Sequence, residues 1–151
     1  MTCKTCELLQ QRDAGTAPLW DCIHRALGWD VVHSFNTSLP GWLVIVARRH
    51  IEAIDELTDD ESIELGRLIR QTSQALKETT GCEKTYVIQF AEHKEHSHVH
   101  FHIVPRMADQ PEEFRSLGIF GYLGATEEER VGEEQMNELA VQIRDFLLQA
   151  D

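Results

Sequence analysis

The apolar positions of this chain fall into short runs whose periods sort them into strands and helices. Residues 20–27 and 29–35, separated by Gly28, predict a pair of strands; the second is rich in aromatic and β-branched residues. Asn36-Thr37-Ser38 is loop chemistry and Pro40-Gly41 is a turn. Residues 42–47 form a nearly continuous apolar run, the pattern of a buried strand. The period then changes. Thr58-Asp59-Asp60-Glu61 has capping-box spacing, and Leu65, Leu68, Ile69, Thr72 and Leu76 recur at helical intervals before Gly81. Residues 86–90 predict another strand. In His98-Val99-His100-Phe101-His102-Ile103-Val104 three histidines alternate strictly with apolar residues, and Pro105 closes the expected strand. Residues 106–125 lack a period and read as loop. The acidic run 127–129 leads a final helix over about 127–149, with Met136, Leu139, Ala140, Ile143 and Leu147 on its apolar face. This order predicts one α+β domain over residues 1–151. A mainly antiparallel sheet of about five strands carries a long helix and a C-terminal helix.

Composition narrows the function. Asp plus Glu outnumber Lys plus Arg by 26 to 14, for a formal charge of −12. Bulk electrostatics therefore exclude nucleic acid and anionic membranes as partners, and positive charge for an anionic ligand must be local. No run is apolar for long enough to cross a bilayer, and no signal-peptide pattern opens the chain, so a cytoplasmic location is expected. In that setting Cys3, Cys6, Cys22 and Cys82 read as thiols or metal ligands rather than disulfides.

A core has no use for three imidazoles in a row. On one strand face alternate side chains stand about 6.5–7 Å apart. Imidazole near pH 7 serves as nucleophile, acid–base group or metal ligand. Three in register can share those roles around one phosphate. The alternatives are a histidine-rich metal tract, since His93 and His96 lie just upstream, or chance alternation. Cys3-x-x-Cys6 alone leaves three readings open: half of a metal site, a redox pair, or idle thiols.

Residues 98–104 resemble the His-φ-His-φ-His-φ-φ motif of the histidine triad (HIT) superfamily, where φ is apolar. Pro105-Arg106 resembles its fragile-histidine-triad and bacterial branches. Residues 39–50, Leu-Pro-Gly-Trp-Leu-Val-Ile-Val-Ala-Arg-Arg-His, are similar to the family segment Pro-Gly-His, hydrophobic strand, basic pair, His. The likeness covers roughly residues 3–106.

The resemblance implies a HIT-like fold, a homodimer and nucleotidyl transfer through a phosphohistidine. His100 would be the nucleophile, one ring nitrogen held by a backbone carbonyl. His102 would bind phosphoryl oxygens and assist the leaving group. Asn36 and Gln89 match family polar positions; on proximity in the sequence alone, Lys94 and Arg106 would add positive charge near the site. In zinc-bearing branches, and in the related galactose-1-phosphate uridylyltransferases, a cysteine pair joins two histidines. The corresponding set here is Cys3, Cys6, His50 and His98, holding structural zinc.

The expected activity is hydrolysis of a nucleoside-5′-phosphate derivative, a dinucleoside polyphosphate or a phosphoramidate; the Pro105-Arg106 ending and the zinc pattern favour the former, a diadenosine polyphosphate hydrolase-like activity. Magnesium would accompany a polyphosphate. The alternatives are transfer to an acceptor other than water and a nucleotide- or metal-binding regulatory module without turnover. Two departures stand out. Trp42 replaces the His of Pro-Gly-His. His93-Lys94-Glu95-His96-Ser97 replaces a Gly-Gln-x-φ-x segment, setting a carboxylate beside the phosphates for Lys94 or a metal to screen.

Overall fold

The computed structural model describes residues 2–150. Its centre is a five-stranded antiparallel sheet in the order β1-β2-β3-β5-β4. The strands are β1 (His24–Arg25), β2 (Trp29–His33), β3 (Leu43–Ala47), β4 (Lys84–Ile88) and β5 (His100–Arg106), and the helices are α1 (Lys4–Asp13), α2 (Asp59–Thr80) and α3 (Glu133–Gln149). Every residue of β2 and β3 is buried, as the near-continuous apolar runs require of strands covered on both faces. No helix among the described residues is long and apolar enough to cross a membrane.

The sheet's two faces are covered differently. On one, Val31, Leu43, Ile45 and Ile103 pack against Leu65, Leu68 and Leu76 of α2 and Ile143 and Leu147 of α3. The capping box at the start of α2 is real: Thr58 Oγ1 accepts from the Glu61 N–H at 3.1 Å, and the Thr58 N–H donates to Glu61 Oε1 at 2.9 Å. Gly81 ends the helix in the left-handed region at φ 73°. On the other face Val32, Val44, Val46 and Val104 meet Trp42 and Ile119. Those two cover only part of it, and the rest is open.

Beyond two-residue shifts of β4 (84–88 against an expected 86–90) and of the start of β5 (His100 against His98), five stretches differ from the sequence expectation. Over 20–27 only His24–Arg25 pair as a strand, and Leu19–Asp21 is a 3-10 turn. Side chains take the carbonyls that a neighbouring strand would: Arg12 Nε donates to Asp21 O, and Arg144 donates to Cys22 O and Ile23 O. Helix α1 has no strong amphipathic stripe to announce it; Cys3 at its N-cap accepts from the Cys6 N–H. Residues 112–114 and 116–122 form 3-10 helices that lay Ile119 and Phe120 on the second face. Gly118 is required there, because a Cβ would stand 2.0 Å from Glu113 O. The final helix starts at Glu133, with Gly132 as its N-cap, so the acidic run 127–129 precedes it. Strand β5 also runs through Pro105. Its neighbour Arg106 presents its carbonyl to the Glu83 N–H on the β4 side, so the missing proline N–H faces the β3 side, where pairing ends at Leu43.

Candidate active site

The register of β5 decides where each histidine stands. His100 pairs with Val46 and His102 with Val44, and Val44 in turn pairs with Val32 of β2. His100 and His102 therefore project from the incompletely covered face, their ring centroids 5.1 Å apart. They line a cleft of about 970 Å³, a volume suited to a nucleotide-sized ligand. Its other walls come from α1, from residues 34–36 after β2, and from residues 123–136. The last segment is strapped across the β2 end: the Val131 N–H donates to Thr37 O, the Ala125 N–H to Asn36 O, and Leu123 bridges to Thr37.

Each imidazole has one nitrogen committed to the protein. The Nδ1–H of His100 donates to His98 O at 2.6 Å. Nε2 is left as a bare lone pair. His102 is the reverse: its Nδ1 accepts from the Trp42 indole N–H at 3.0 Å, so its proton resides on Nε2. Burial, and then the neighbouring His100, push His102 down to about 4. It is neutral at pH 7.

His98 does not share the cleft. It is fully buried, its Nε2–H donates to Ala47 O at 2.6 Å, and its bare Nδ1 points at a cluster. Cys6 Sγ lies 3.6 Å from that Nδ1, Cys3 Sγ 3.7 Å and His50 Nδ1 3.2 Å; Cys6 Sγ is also 3.2 Å from His50 Nδ1. The four ligand atoms all lie within 4.8 Å of one another. Tetrahedral zinc with Zn–S of about 2.3 Å and Zn–N of about 2.0–2.1 Å sets ligand edges of about 3.3–3.8 Å. The group fits that tetrahedron in both donor set and spacing. Burial and Cys3 push Cys6 up to about 11, a shift that a bound cation would reverse. Glu52 stands 3.6 Å from the outer nitrogen of His50, where a carboxylate orients a ligating imidazole.

Helix α1 is fastened at both ends. Its start joins this cluster, and its Lys4 N–H donates to Glu95 O while Thr5 Oγ1 bonds His96 Nδ1 at 2.8 Å. At its far end the buried Arg12 reaches Asp30 at 3.0 Å and Asp21 at 3.4 Å. Asp30 pairs with Val46, and Val46 with His100, so this ion pair runs beside the His100 row.

The remaining sequence candidates divide. Asn36 lines the cleft, its Oδ1 accepting from Ser34 Oγ at 3.3 Å. Gln89, Lys94 and Arg106 are not among its lining residues. Arg106 is six residues along β5 from His100, about 20 Å at strand rise. It is Lys4, not Lys94, that answers Glu95, at 3.3 Å on the rim. Sequence reasoning assigned no site role to Trp42, Thr5, His93, His96 or Arg130. Trp42 had the one usable signal, its place in the Pro-Gly-His segment.

A family model described as the HIT domain matches residues 30–109. Among solved structures the fold is similar to a zinc-bound histidine triad family protein from Mycobacterium smegmatis, with 14% identity, coverage of 100% of this chain and 99% of that one, and a TM-score of 0.69. It is similar to a hypothetical histidine triad nucleotide-binding protein from Sulfolobus tokodaii strain7, with 15% identity, 95% and 93% coverage and a TM-score of 0.70. A third likeness is to the Plasmodium falciparum diadenosine triphosphate hydrolase in complex with Cyclomarin A, with 16% identity, 84% and 76% coverage and a TM-score of 0.62. No curated protein sequence matches the chain.

Proposed function

Because the chain belongs to the HIT domain family, we propose that it transfers the nucleotidyl group of a nucleoside-5′-phosphate derivative to His100 and then to water. The observation that carries this reading is the His100 ring. Its Nδ1–H is tied to the main chain of its own strand, and its Nε2 lone pair faces the cleft. The Nε2 lone pair forms a bond to the α-phosphorus while the bond to the leaving group breaks, and the leaving group departs with the electron pair. The Nε2–H of His102 donates to a phosphoryl oxygen or to the departing atom. Water then attacks the nucleotidyl-His100 and gives its proton to solvent, or to His102 where that ring has protonated the leaving group; the P–N bond breaks with its electron pair returning to Nε2, and a nucleoside monophosphate leaves. Asn36 and Ser34 are placed to hydrogen-bond a sugar or phosphate at the β2 end of the cleft.

Cys3, Cys6, His50 and His98 would hold zinc. Four protein ligands close its coordination sphere, so its chemistry is structural: it pins α1 to the start of the histidine row. Strand β4 is an edge of the sheet and leaves Val87 and the neighbouring Phe90 exposed. We read that edge as the contact with a second copy in a homodimer.

The cleft lining also ranks substrates. Glu7, Asp21, Glu95, Glu127 and Glu133 outnumber Lys4, Arg12 and Arg130 in the lining. This excess of carboxylates favours a phosphoramidate over a long polyphosphate, unless magnesium travels with the latter. The test is release of AMP from adenosine phosphoramidate and diadenosine tetraphosphate, by wild type and His100→Ala. Activity should fall by about 10³-fold or more in the variant. Wild type that binds AMP but turns over neither substrate would instead favour a binding module. Light scattering on the same preparation reads the dimer, and a monomer at assay concentration removes that part of the reading.

A further inference from the structure

His100 and His102 are chemically identical side chains on one strand face. A phosphoryl site needs them to differ, one offering a lone pair and the other a proton. If both presented lone pairs, the phosphoryl oxygens would be repelled; if both presented protons, no nucleophile would remain. The difference for His100 comes from its own main chain. For His102 it comes from one side chain, Trp42.

An indole has a single N–H and no acceptor. Its 3.0 Å contact with His102 Nδ1 therefore has only one polarity. We infer that Trp42 is a positioning residue that holds His102 as an Nε2–H donor, the opposite tautomer to His100. The indole has no freedom to swing away. Trp42 is fully buried, it meets the His102 ring edge-on at 5.7 Å, and Phe120 packs 6.1 Å from it. The turn that delivers it is held as well. Gly41 takes φ 89°, open to glycine, and a Cβ there would press on Thr80 and Pro105. The Gly41 N–H donates to His33 Nε2 at 3.0 Å, and Trp42 O accepts from the Ser34 N–H at 2.9 Å. An imidazole at position 42 could either donate or accept; an indole removes that choice.

The tautomer assignment stands on hydrogen bonding alone, whereas its effect on turnover rests on the nucleotidyl-transfer reading. Two readouts keep these apart. Ring-nitrogen NMR of the protein as purified, metal retained, should show His102 protonated on Nε2 and bare on Nδ1, with His100 reversed. Trp42→Phe keeps the aromatic bulk and removes the N–H. His102 should then become a mixture of tautomers, while His100 and the metal content are unchanged. Trp42→His returns a ring N–H but also a lone pair, and should restore the Nε2–H form only in part. If the substrates above are turned over, Trp42→Phe should lower kcat about tenfold with little change in KM, and Trp42→His should recover part of it. Wild-type protein with the His102 proton on Nδ1 overturns the proposal. So does a Trp42→Phe spectrum identical to wild type. Absence of turnover with the expected tautomers defeats the catalytic reading and leaves the positioning role standing.

Discussion

The start and the middle of the histidine row serve different ends with the same side chain at the same spacing. At the start, the Ala47 carbonyl occupies Nε2 of His98 and turns Nδ1 toward Cys3, Cys6 and His50. Two residues on, the His98 carbonyl occupies Nδ1 of His100 and turns Nε2 toward the cleft. His98 is fully buried, whereas His100 lines the cleft. The role of each imidazole is set by the partner of the nitrogen it does not use. The row is also continuous: the residue whose ring faces the cysteines supplies the carbonyl that orients His100. Whatever holds His98 in place therefore holds His100 in register.

The contrast breaks most sharply under paired substitution. His98→Ala removes one of the four clustered donors and leaves two thiols and His50 around a gap. Bound metal should fall to a small fraction of wild type, and unfolding free energy by about 4 kcal/mol or more. His100→Ala should keep the metal and stay within about 1 kcal/mol of wild type. Elemental analysis with urea denaturation of both variants reads the difference. Equal destabilisation of the two would mean that the row has no separate structural end. Wild type that is metal-free when purified without chelator would remove the metal from the account altogether.

Much of this arrangement was legible in the sequence because it rests on local period and spacing. The alternation over 98–104, the buried run over 42–47 and the capping box at Thr58 each report a backbone pattern that nothing distant overrides. What was illegible depends on contacts between remote segments. Residues 106–125 have no period because their regular parts are two short 3-10 helices, 112–114 and 116–122, set by Gly118 and by the Phe114–Tyr122 stack, with centroids 4.4 Å apart. The strand expected over 20–27 is cut short because Arg12 and Arg144, from two different helices, claim its carbonyls. Within the site, His100 and His102 could be named from spacing, but the proton on each could not. The partners that set it, His98 O and the Trp42 indole, are fixed only by folding. Lys94 and Arg106 were chosen for proximity in sequence. Arg106 runs away from the cleft along an extended strand, and Lys4 of α1 supplies the cation at Glu95 instead.

A smaller effect tests whether the metal end of α1 acts alone. Arg12 is fully enclosed between Asp21 and Asp30. Burial raises Asp21 above its ordinary value even with Arg12 beside it. Arg12→Met removes the shared cation and leaves two buried carboxylates, although Arg25 still reaches Asp30 at 2.9 Å. The expected cost is about 3 kcal/mol in denaturant unfolding, with full metal content. The two fastenings of the helix are then separable. Metal lost together with Arg12 would show them to be one cooperative unit.

The smallest effect concerns a fourth imidazole, His33, which follows the same rule. Its Nδ1–H donates to Ser34 O at 2.7 Å and its Nε2 accepts from Gly41. Both nitrogens are spent on the turn that carries Trp42. Burial pushes its pKa down to about 4, against an unfolded value of about 6.5. Between those values the unfolded chain holds the proton and the folded chain does not. The stabilising contribution is therefore complete above about pH 6.5 and is lost as pH falls toward 4. From pH 7 to pH 5 it amounts to about 2 kcal/mol. His33→Gln has no such titration, so its stability should decline less steeply than that of wild type over this range in parallel urea titrations. The subtraction cancels every titration that the two proteins share. Parallel pH slopes would mean that His33 accepts a proton in place, and that the turn delivering Trp42 to His102 tolerates a charged imidazole beneath it.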